Sequence, residues 1–265
     1  MARSVAGLLA DTGEERPQRA DSVVMCGRYA NARRDADLID AFGVDDVRDL
    51  ELEPSWNVAP MQDVRIVVEQ LKKDDTGKST GRQLRTARWG LVPSWAKNPS
   101  IGSRLINARS ETITEKPSFK AAAGKRRCIV PADGYYEWQK LDEAGKKKQP
   151  YYLHAEDEAP MAFAGLYEWW RDPELPDEHP ERWRCTNTIL TTTAADALGH
   201  VHDRSPVIVP PDMLADWLNP SITDLAVVRE MVAAIPEPHL VPRPVDRAVG
   251  NVRNNGPQLI EPIDH

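Results

Sequence analysis

The chain has 265 residues and a formal net charge of −7, from 34 Lys and Arg against 41 Asp and Glu. A negatively charged protein repels a polyanion at long range, which argues against indiscriminate nucleic-acid binding and confines any DNA contact to a local basic groove. Three cysteines without a CxxC pair, no secretory signal and no apolar run of membrane-spanning length predict a soluble cytoplasmic protein without a disulfide framework.

The leader and the first elements come next along the chain. Residues 1–25 mix charged residues with Gly and Pro without periodicity, so we interpret them as a disordered or removed leader, or as sequence upstream of the true start. The folded domain is predicted over residues 26–265. Within it, apolar residues at helical spacing predict a short helix over residues 35–42 that ends at Gly43, and an extended loop is predicted over residues 54–60.

The rest of the chain shows many short strands and few helices. Strands are predicted at residues 64–69, 85–95, 128–131, 135–138, 151–154, 162–170 and 184–193. Helices are predicted at residues 117–123, 212–218 and 222–235, with a helical turn at 194–198, exposed connections at 72–82, 139–149 and 172–182, and an extended tail from 236. Because no βαβ alternation appears, we predict an α+β fold: a single domain built on a mixed, mainly antiparallel, barrel-like β-sheet with a few peripheral helices.

The first chemical feature is Cys26, which directly follows Met25. If that methionine is removed, an α-amine and a thiol lie on adjacent carbons, an arrangement that captures an aldehyde as a five-membered thiazolidine ring. An α-amine with a pKa near 8 is roughly a tenth neutral at pH 7, against roughly one part in a few thousand for a lysine. The alternative is that Cys26 is a small buried hydrophobe, as most free cysteines are.

Five ordered motifs decide between these alternatives. CGRYA, RWGLVPSW, INARSET, CIVPADGYYEW and HDRSPVIV follow one another along the chain. In this combination and order the sequence resembles the SOS-response-associated peptidase (SRAP) family, the abasic-site processing proteins that cross-link to DNA. The resemblance implies that the mature protein starts at Cys26 and condenses with the ring-opened aldehyde of an abasic site in single-stranded DNA. The resulting thiazolidine would protect the lesion during the DNA damage (SOS) response.

The resemblance also implies the site residues. The catalytic set would be Cys26, Asn107, Glu137 and His202, and the DNA-binding set Arg28, Trp89 and Arg109. Imine formation needs protons delivered and removed, which positioned acid and base groups accelerate by roughly 10² to 10⁴. We expect His202 to relay protons to the sugar O4′, Glu137 to hold the α-amine and shuttle its proton, and Asn107 to orient that amine.

Each of these residues also has a plain structural interpretation. Asn107 is typical of a turn or strand end, and Glu137 of a solvent-facing strand position. His202 fits a packed or surface histidine, and Trp89 a core residue. The basic run at residues 125–127 is more typical of a solvated face than of a phosphate track.

Two departures from the family pattern leave alternatives open. Residues 1–25 precede the cysteine whose amine must be free, so either translation begins at Met25 or the leader is cut off, by Cys26, Glu137 and His202 acting on their own chain. Ser205 stands where the family usually has methionine. The competing functions are a cysteine peptidase acting in trans and a non-covalent reader of single-stranded or modified DNA.

Several further expectations follow from the resemblance and the composition. Abasic-site lyase activity through the imine is a further reaction that this chemistry would allow. No cofactor is implied, and a metal site fits poorly because Cys128 and Cys185 lie in apolar strands without short ligand pairs. We expect a monomer that makes no membrane contact and becomes nucleoid-associated when bound to DNA.

Overall fold

The computed structural model describes residues 27–72, 79–193 and 204–263. The strands are β1 (Tyr29–Asn31), β2 (Asp46–Val47), β3 (Ser55–Val58), β4 (Asp63–Lys72), β5 (Ser79–Trp89), β6 (Asn107–Arg109), β7 (Arg127–Ala132), β8 (Gly134–Lys140), β9 (Lys148–Ala155), β10 (Met161–Arg171), β11 (Trp183–Thr193), β12 (Arg204–Pro206) and β13 (Leu240–Pro244). The helices are α1 (Asp35–Phe42), α2 (Lys120–Lys125), α3 (Leu214–Leu218) and α4 (Leu225–Ala233). Short 3-10 turns lie at Pro99–Arg104, Ser110–Thr112, Pro211–Met213, Arg247–Gly250 and Pro257–Leu259.

Five strands form a closed barrel. β11, β10, β7, β4 and β5 pair in this order as antiparallel neighbours, and β5 returns to pair with β11 in parallel, with Asn187 opposite Trp89. β2 pairs with β5, and β6 and β12 pair with β11, at positions outside the pairs that close the barrel. Closure removes the free edges that an open sheet would leave. The predicted mixed, mainly antiparallel, barrel-like sheet is therefore confirmed.

A second sheet packs against the barrel. Its five strands run in the order β13, β9, β8, β1 and β3, and every neighbouring pair is antiparallel. Tyr29 on β1 and Tyr135 on β8 both meet Phe163 of the barrel strand β10, with ring centroids 5.9 Å and 6.0 Å apart. One hydrophobic cluster therefore spans both sheets.

The helices lie around the outside and only partly follow the prediction. α1 has the predicted bounds, because Gly43 adopts a left-handed φ of 59° that ends the helix. The predicted helix at residues 117–123 begins later, at Lys120, and Gly124 lies inside it rather than after its end. α4 begins after Asp224, whose carboxylate accepts a hydrogen bond from the amide of Ala226 at 2.7 Å, so the cap sets its start.

The C-terminal tail and one predicted loop contain more structure than the sequence pattern predicted. β13 pairs with β9 although it contains Pro242 and Pro244, because it is an edge strand whose outer side needs no amide donors. The predicted loop at residues 54–60 contains β3, and the predicted turn at residues 194–198 lies outside the described residues. No helix within the described ranges is long and apolar enough to span a bilayer.

Candidate active site

The described chain begins at Gly27, in the middle of the second sheet. β1 lies between β8 and β3, with Tyr29 opposite Tyr135 and Ala30 opposite Gly134. The Tyr136 amide donates to the carbonyl of Arg28 at 3.0 Å, so Arg28 lies opposite Tyr136 in the same register. The first described residues are therefore fixed by neighbouring strands on both sides.

Glu137 lies on the strand beside this start. Continuing the register from Arg28 opposite Tyr136 sets Glu137 at the level of Gly27. Its side chain shares a sheet face with Tyr135, because residues two apart on a strand point the same way, and only 5% of it is exposed. The solvent-facing alternative for Glu137 is thus excluded. A buried carboxylate is costly to keep, which is the usual condition of a functional acid rather than of a surface residue.

Asn107 and Arg109 lie side by side on β6. This short strand runs parallel to β11, with Asn107 opposite Ile189, and Asn107 is its first residue and half-buried. Asn107 and Arg109 share one face of β6, whereas Ala108 points the other way into the core. Arg109 is exposed. The strand-end interpretation of Asn107 is therefore geometrically correct, and it places Asn107 next to an exposed cation.

An aromatic pair joins the strands that carry Glu137 and Asn107. The Trp89 indole donates from Nε1 to the carbonyl of Ile106 at 2.8 Å, directly before Asn107. The same indole packs edge-on against Tyr29, with ring centroids 5.2 Å apart. Tyr29 in turn pairs with the β8 strand two residues before Glu137. The Tyr29–Trp89 pair thus fixes both polar residues relative to the start of β1.

This geometry corrects the expectation that Trp89 contacts DNA. Its side chain is fully buried, so no nucleic acid can reach it without rearranging the core. The exposed indole of the same sequence motif belongs to Trp95, which is 59% exposed. The Trp170 indole holds this segment by donating to the carbonyl of Ala96 at 2.7 Å. Residues 90 and 93, Gly and Pro, end the strand before Trp95, a sequence signal that could have identified Trp95 as the accessible tryptophan.

Arg28 is half-buried and is held by residues 245–254, which we call the C-terminal turn. Its Nη1 donates to Asn57 Oδ1 at 2.8 Å and to the carbonyl of Val249 at 3.0 Å, and Nη2 donates to Gly250 at 3.4 Å. Burial lowers the pKa of the Arg28 guanidinium, with the Tyr136 hydroxyl acting in the opposite direction. The Asn57 amide also donates to the carbonyls of Val249, Asn251 and Asn254. Arg28 and Asn57 therefore attach the C-terminal turn to the first strand.

Cys26 and His202 lie outside the described residues, but residues close to them in the sequence are described. Gly27 follows Cys26 directly, and Arg204, the first residue of β12, follows His202 by two residues. β11 pairs with β6, which belongs to the INARSET motif, and with β12, which belongs to the HDRSPVIV motif. The two motifs therefore lie beside the same strand.

A salt bridge that the sequence pattern did not reveal joins these two motifs. Arg204 donates from Nη1 and Nη2 to the two carboxylate oxygens of Glu111 at 3.0 Å and 2.7 Å. This hydrogen bonding holds the pKa of Glu111 below its usual value, while partial burial acts in the opposite direction. This salt bridge therefore connects the INARSET and HDRSPVIV motifs beside β11, the strand that separates them.

The two described cysteines are not suited to nucleophilic chemistry. Cys128 is fully buried in the barrel, and burial raises the pKa of its thiol well above the usual value. Burial also raises the pKa of Cys185 to about 12. Both thiols are protonated at pH 7, and the thiolate is the reactive form. Within the described ranges no group of three or more His, Cys, Asp or Glu side chains is arranged to hold a metal ion.

Known proteins share sequence similarity with most of this chain. The family model described as SOS response associated peptidase (SRAP) matches residues 25–252. The abasic site processing protein YoqW of Bacillus subtilis (strain 168) is 37% identical over 238 residues, which covers 89% of this chain and 99% of that protein. YedK of Escherichia coli (strain K12), also described as an abasic site processing protein, is 31% identical over 246 residues, 90% of this chain and 100% of that protein. HMCES of Gallus gallus, described in the same way, is 30% identical over 273 residues, 91% of this chain and 78% of that protein.

Solved structures agree with the fold. A crystal structure of a protein from Bacteroides thetaiotaomicron superposes with a TM-score of 0.71 at 24% identity, covering 90% of this chain and all of that one. A phage-related protein from Bordetella bronchiseptica superposes with a TM-score of 0.60 at 32% identity, covering 84% of this chain and 95% of that one.

Proposed function

Because this chain belongs to the SOS response associated peptidase (SRAP) family, we propose that it processes abasic sites in single-stranded DNA by linking to them covalently through Cys26. Its relatives in bacteria and vertebrates are described as abasic site processing proteins. One structural observation carries the proposal: Gly27, the residue after Cys26, lies beside a strand that presents the buried carboxylate of Glu137 at the same level. In this proposal the amine and the thiol of Cys26 react beside this carboxylate.

The reaction balances with the loss of one water. The α-amine of Cys26 attacks the C1′ aldehyde of the ring-opened sugar and forms a carbinolamine. Loss of its hydroxyl as water, with a proton supplied by an acid, gives an imine. The Cys26 thiolate then adds to the imine carbon, and the nitrogen takes up a proton. The product is a thiazolidine in which C1′ is bonded to both the nitrogen and the sulfur of Cys26.

The nearby polar groups take the proton-transfer roles. Glu137 holds the α-amine and accepts the proton that the amine loses on attack, because its carboxylate sits beside the strand that follows Cys26. Asn107 orients the amine with a neutral hydrogen bond. His202 delivers a proton to the sugar O4′ as the ring opens, a transfer that histidine can perform near neutral pH.

DNA recognition in this proposal relies on the backbone and on stacking, since an abasic site offers no base to read. The exposed Arg109, on the same face of β6 as Asn107, binds a phosphate beside the lesion. Arg28 contributes positive charge from its internal position. The exposed indole of Trp95 takes the stacking role that the buried Trp89 cannot perform.

The mature domain in this proposal starts at Cys26, and residues 1–25 are absent from the active form. Initiation at Met25 followed by removal of that methionine gives the required free amine. Mass spectrometry of the intact protein isolated from its native host checks this directly. A chain that retains residues 1–25 in the cell would overturn thiazolidine formation, because the nitrogen of Cys26 would then be an amide.

The main experiment tests the covalent step. The chain beginning at Cys26 is incubated with a short single strand that carries one abasic site, and the intact mass of the product is measured. We expect the sum of the protein and DNA masses minus one water, in a species that survives heat and detergent. Cys26→Ala should abolish this species, and a strand with a tetrahydrofuran analogue, which has no aldehyde, should not form it. A Cys26→Ala protein that still links to DNA would overturn the proposal.

A second experiment tests the role of Glu137. Glu137→Gln keeps the size of the side chain but removes its ability to accept a proton. We expect the initial rate of linkage to fall by about 100-fold, with the final yield unchanged, because a positioned base typically contributes at least this factor. Linkage as fast as in the parent would remove the assigned role from Glu137. Acetylation of the α-amine tests the alternative of a peptidase that acts in trans. The acetylated protein should lose aldehyde capture.

A further inference from the structure

The turn that connects β8 and β9 presents four exposed lysines, Lys140, Lys146, Lys147 and Lys148, which we call the hairpin lysines. We propose that the hairpin lysines bind the phosphate backbone of the DNA strand on one side of the lesion. This inference rests on the proposed function and adds a second contact surface to it, separate from the residues that react.

The charges of the hairpin lysines are not neutralised by the protein. Lys140 lies directly opposite Lys148 across the β8–β9 ladder, a like-charge pair that destabilises a hairpin. In the part of the chain that the structure describes, no carboxylate lies within ion-pair distance of any of these four ammonium groups. The pairing is unfavourable in the free protein and becomes favourable when a polyanion lies across it.

Of the two carboxylates in this turn, Asp142 and the exposed Glu143, Asp142 is engaged with the backbone. Asp142 accepts hydrogen bonds from the backbone amides of Lys146 and Lys147, at 2.8 Å and 3.2 Å. Gly145, with a left-handed φ of 63°, completes this turn, and the aliphatic part of Lys140 passes close to it. The turn is therefore held by the Asp142 carboxylate, and the four lysines are exposed to solvent.

The position of the hairpin relates it to the candidate active site. β8 carries Glu137, and Lys140 follows three residues later, about 10 Å further along the strand. The antiparallel pairing of β1 and β8 means that this part of β8 extends past the point where the described chain begins at Gly27. A strand of DNA that is attached at Cys26 would thus pass within reach of the hairpin.

A second basic segment extends the same surface. The Gln149 side chain, next to Lys148, donates to the carbonyl of Val245 at 2.8 Å and so joins the hairpin to the C-terminal turn. This turn carries the exposed Arg247 and Arg253, and it is the segment whose carbonyls hold Arg28. Since the whole chain has a net charge of −7, this concentration of positive charge is the local basic surface that DNA binding requires.

The test compares two triple variants with equal charge changes. Lys146→Gln/Lys147→Gln/Lys148→Gln removes three hairpin lysines, and Lys116→Gln/Lys120→Gln/Lys125→Gln removes three exposed lysines at and around α2. Equilibrium binding to a single strand with a central tetrahydrofuran analogue is measured at salt concentrations from about 50 to about 200 mM. This probe cannot react, so only non-covalent affinity is observed.

We expect the hairpin triple to lower the slope of log affinity against log salt by about 2, since each phosphate contact to a single strand contributes about 0.7. At about 50 mM salt its affinity should fall by about 10-fold or more, whereas the α2 triple should change it by less than about 2-fold. Equal effects of the two triples, or no effect of either, would overturn the proposal. Circular dichroism and thermal midpoints confirm that both variants fold.

Strands with the analogue at the 5′ or the 3′ end refine the same test. One of these strands lacks the backbone that reaches the hairpin, so the parent and the hairpin triple should bind that strand with equal affinity. On the other strand the difference in affinity between the two proteins should persist. A difference that persists on both strands contradicts one-sided contact. The proposed function is assessed separately: a parent protein that binds the analogue but never links to an aldehyde strand loses that function and keeps this surface.

Discussion

Two arginines hold backbone carbonyls in different parts of this molecule. Arg127 on β7 is buried against the outer helices, and it donates to the carbonyls of Ala123, Trp217, Asn219 and Ile222. Arg28 is half-buried just before β1, and it donates to an asparagine side chain and to two carbonyls of the C-terminal turn. Burial lowers the pKa of Arg127 to about 10 and shifts that of Arg28 in the same direction, so both remain charged at pH 7.

The difference between them lies in what each arginine holds. Arg127 joins α2 and the segment after α3 to the barrel wall, and its neighbour Cys128 is buried with a thiol pKa well above the usual value. Arg28 joins the C-terminal turn to the strand that follows the candidate nucleophile. The same interaction thus serves only the stability of the fold in one place, and both stability and the geometry of the site in the other.

Arg127→Met should have the largest effect on stability. The substitution removes the arginine donor from four carbonyls, two in buried and two in partly buried hydrogen bonds, and a buried acceptor that loses its partner costs about 1 to 3 kcal/mol. We expect the free energy of unfolding to fall by about 3 kcal/mol or more, measured from urea denaturation. Arg171→Met, which breaks an exposed ion pair with Asp177, is the matched control and should cost less than about 1 kcal/mol.

Arg28→Met should separate activity from stability. It removes three hydrogen bonds that are partly exposed, so we expect a loss of about 1 to 2 kcal/mol in the free energy of unfolding. The initial rate of linkage to abasic DNA should fall by about 10-fold, because the start of β1 loses its attachment and a basic group. Arg127→Met, assayed at a temperature where it is folded, should link at close to the parental rate. An equal loss of rate in both variants would contradict the distinction between the two arginines.

The three cysteines should differ in reactivity, because Cys26 should react faster than Cys128 and Cys185. Cys128 and Cys185 are protonated at neutral pH because burial raises both thiol pKa values. A disulfide reagent applied to the folded chain beginning at Cys26 should therefore modify one thiol quickly, and the Cys26→Ala variant should show no fast phase. In denaturant three thiols should react in the parent. Rapid labelling of the folded Cys26→Ala variant would contradict this expectation for buried Cys128 or half-buried Cys185.

The sequence predicted local features where a single residue sets the structure. α1 has the predicted bounds because Gly43 supplies the left-handed conformation that ends it. The closure of the barrel by β5 and β11 could not be predicted, because that pairing joins strands far apart in the chain and leaves no local pattern. β13 was missed because two prolines disguise a strand that is tolerated only at an edge.

The candidate site was predicted from motifs; the burial of Glu137 was not, whereas that of Trp89 matches its alternative interpretation as a core residue. Glu137 and Trp89 both lie in aromatic strands, and no local pattern shows which face of a strand is covered by the other sheet. The structure places both side chains inside, which supports a chemical role for the carboxylate and excludes direct DNA contact for the indole. Trp95 lies in the same motif as Trp89 but after the strand has ended, so it remains accessible.

Glu111→Gln should have the smallest effect, and its pH dependence identifies the cause. Glu111 accepts two hydrogen bonds from Arg204, which lower its pKa in the folded state. A carboxylate with a lowered folded pKa stabilises the protein above its unfolded pKa of about 4.3, and this contribution disappears as the pH falls through the folded value. The carboxylate is partly exposed, so at pH 7 we expect a loss of less than about 1 kcal/mol.

Urea denaturation of the parent and of Glu111→Gln from pH 7 to pH 3 measures this contribution. The two curves should differ at pH 7 and converge as the pH falls below about 4, because the protonated parent carboxyl then resembles the amide. Because Arg204 follows His202 by two residues, the same variant should also slow linkage to abasic DNA by about 2- to 5-fold, less than Arg28→Met. A stability difference that stays constant across this pH range would mean that the interaction does not depend on the charge of Glu111. The tie between the two motifs would then come from packing, and β12 would keep its position without the ion pair.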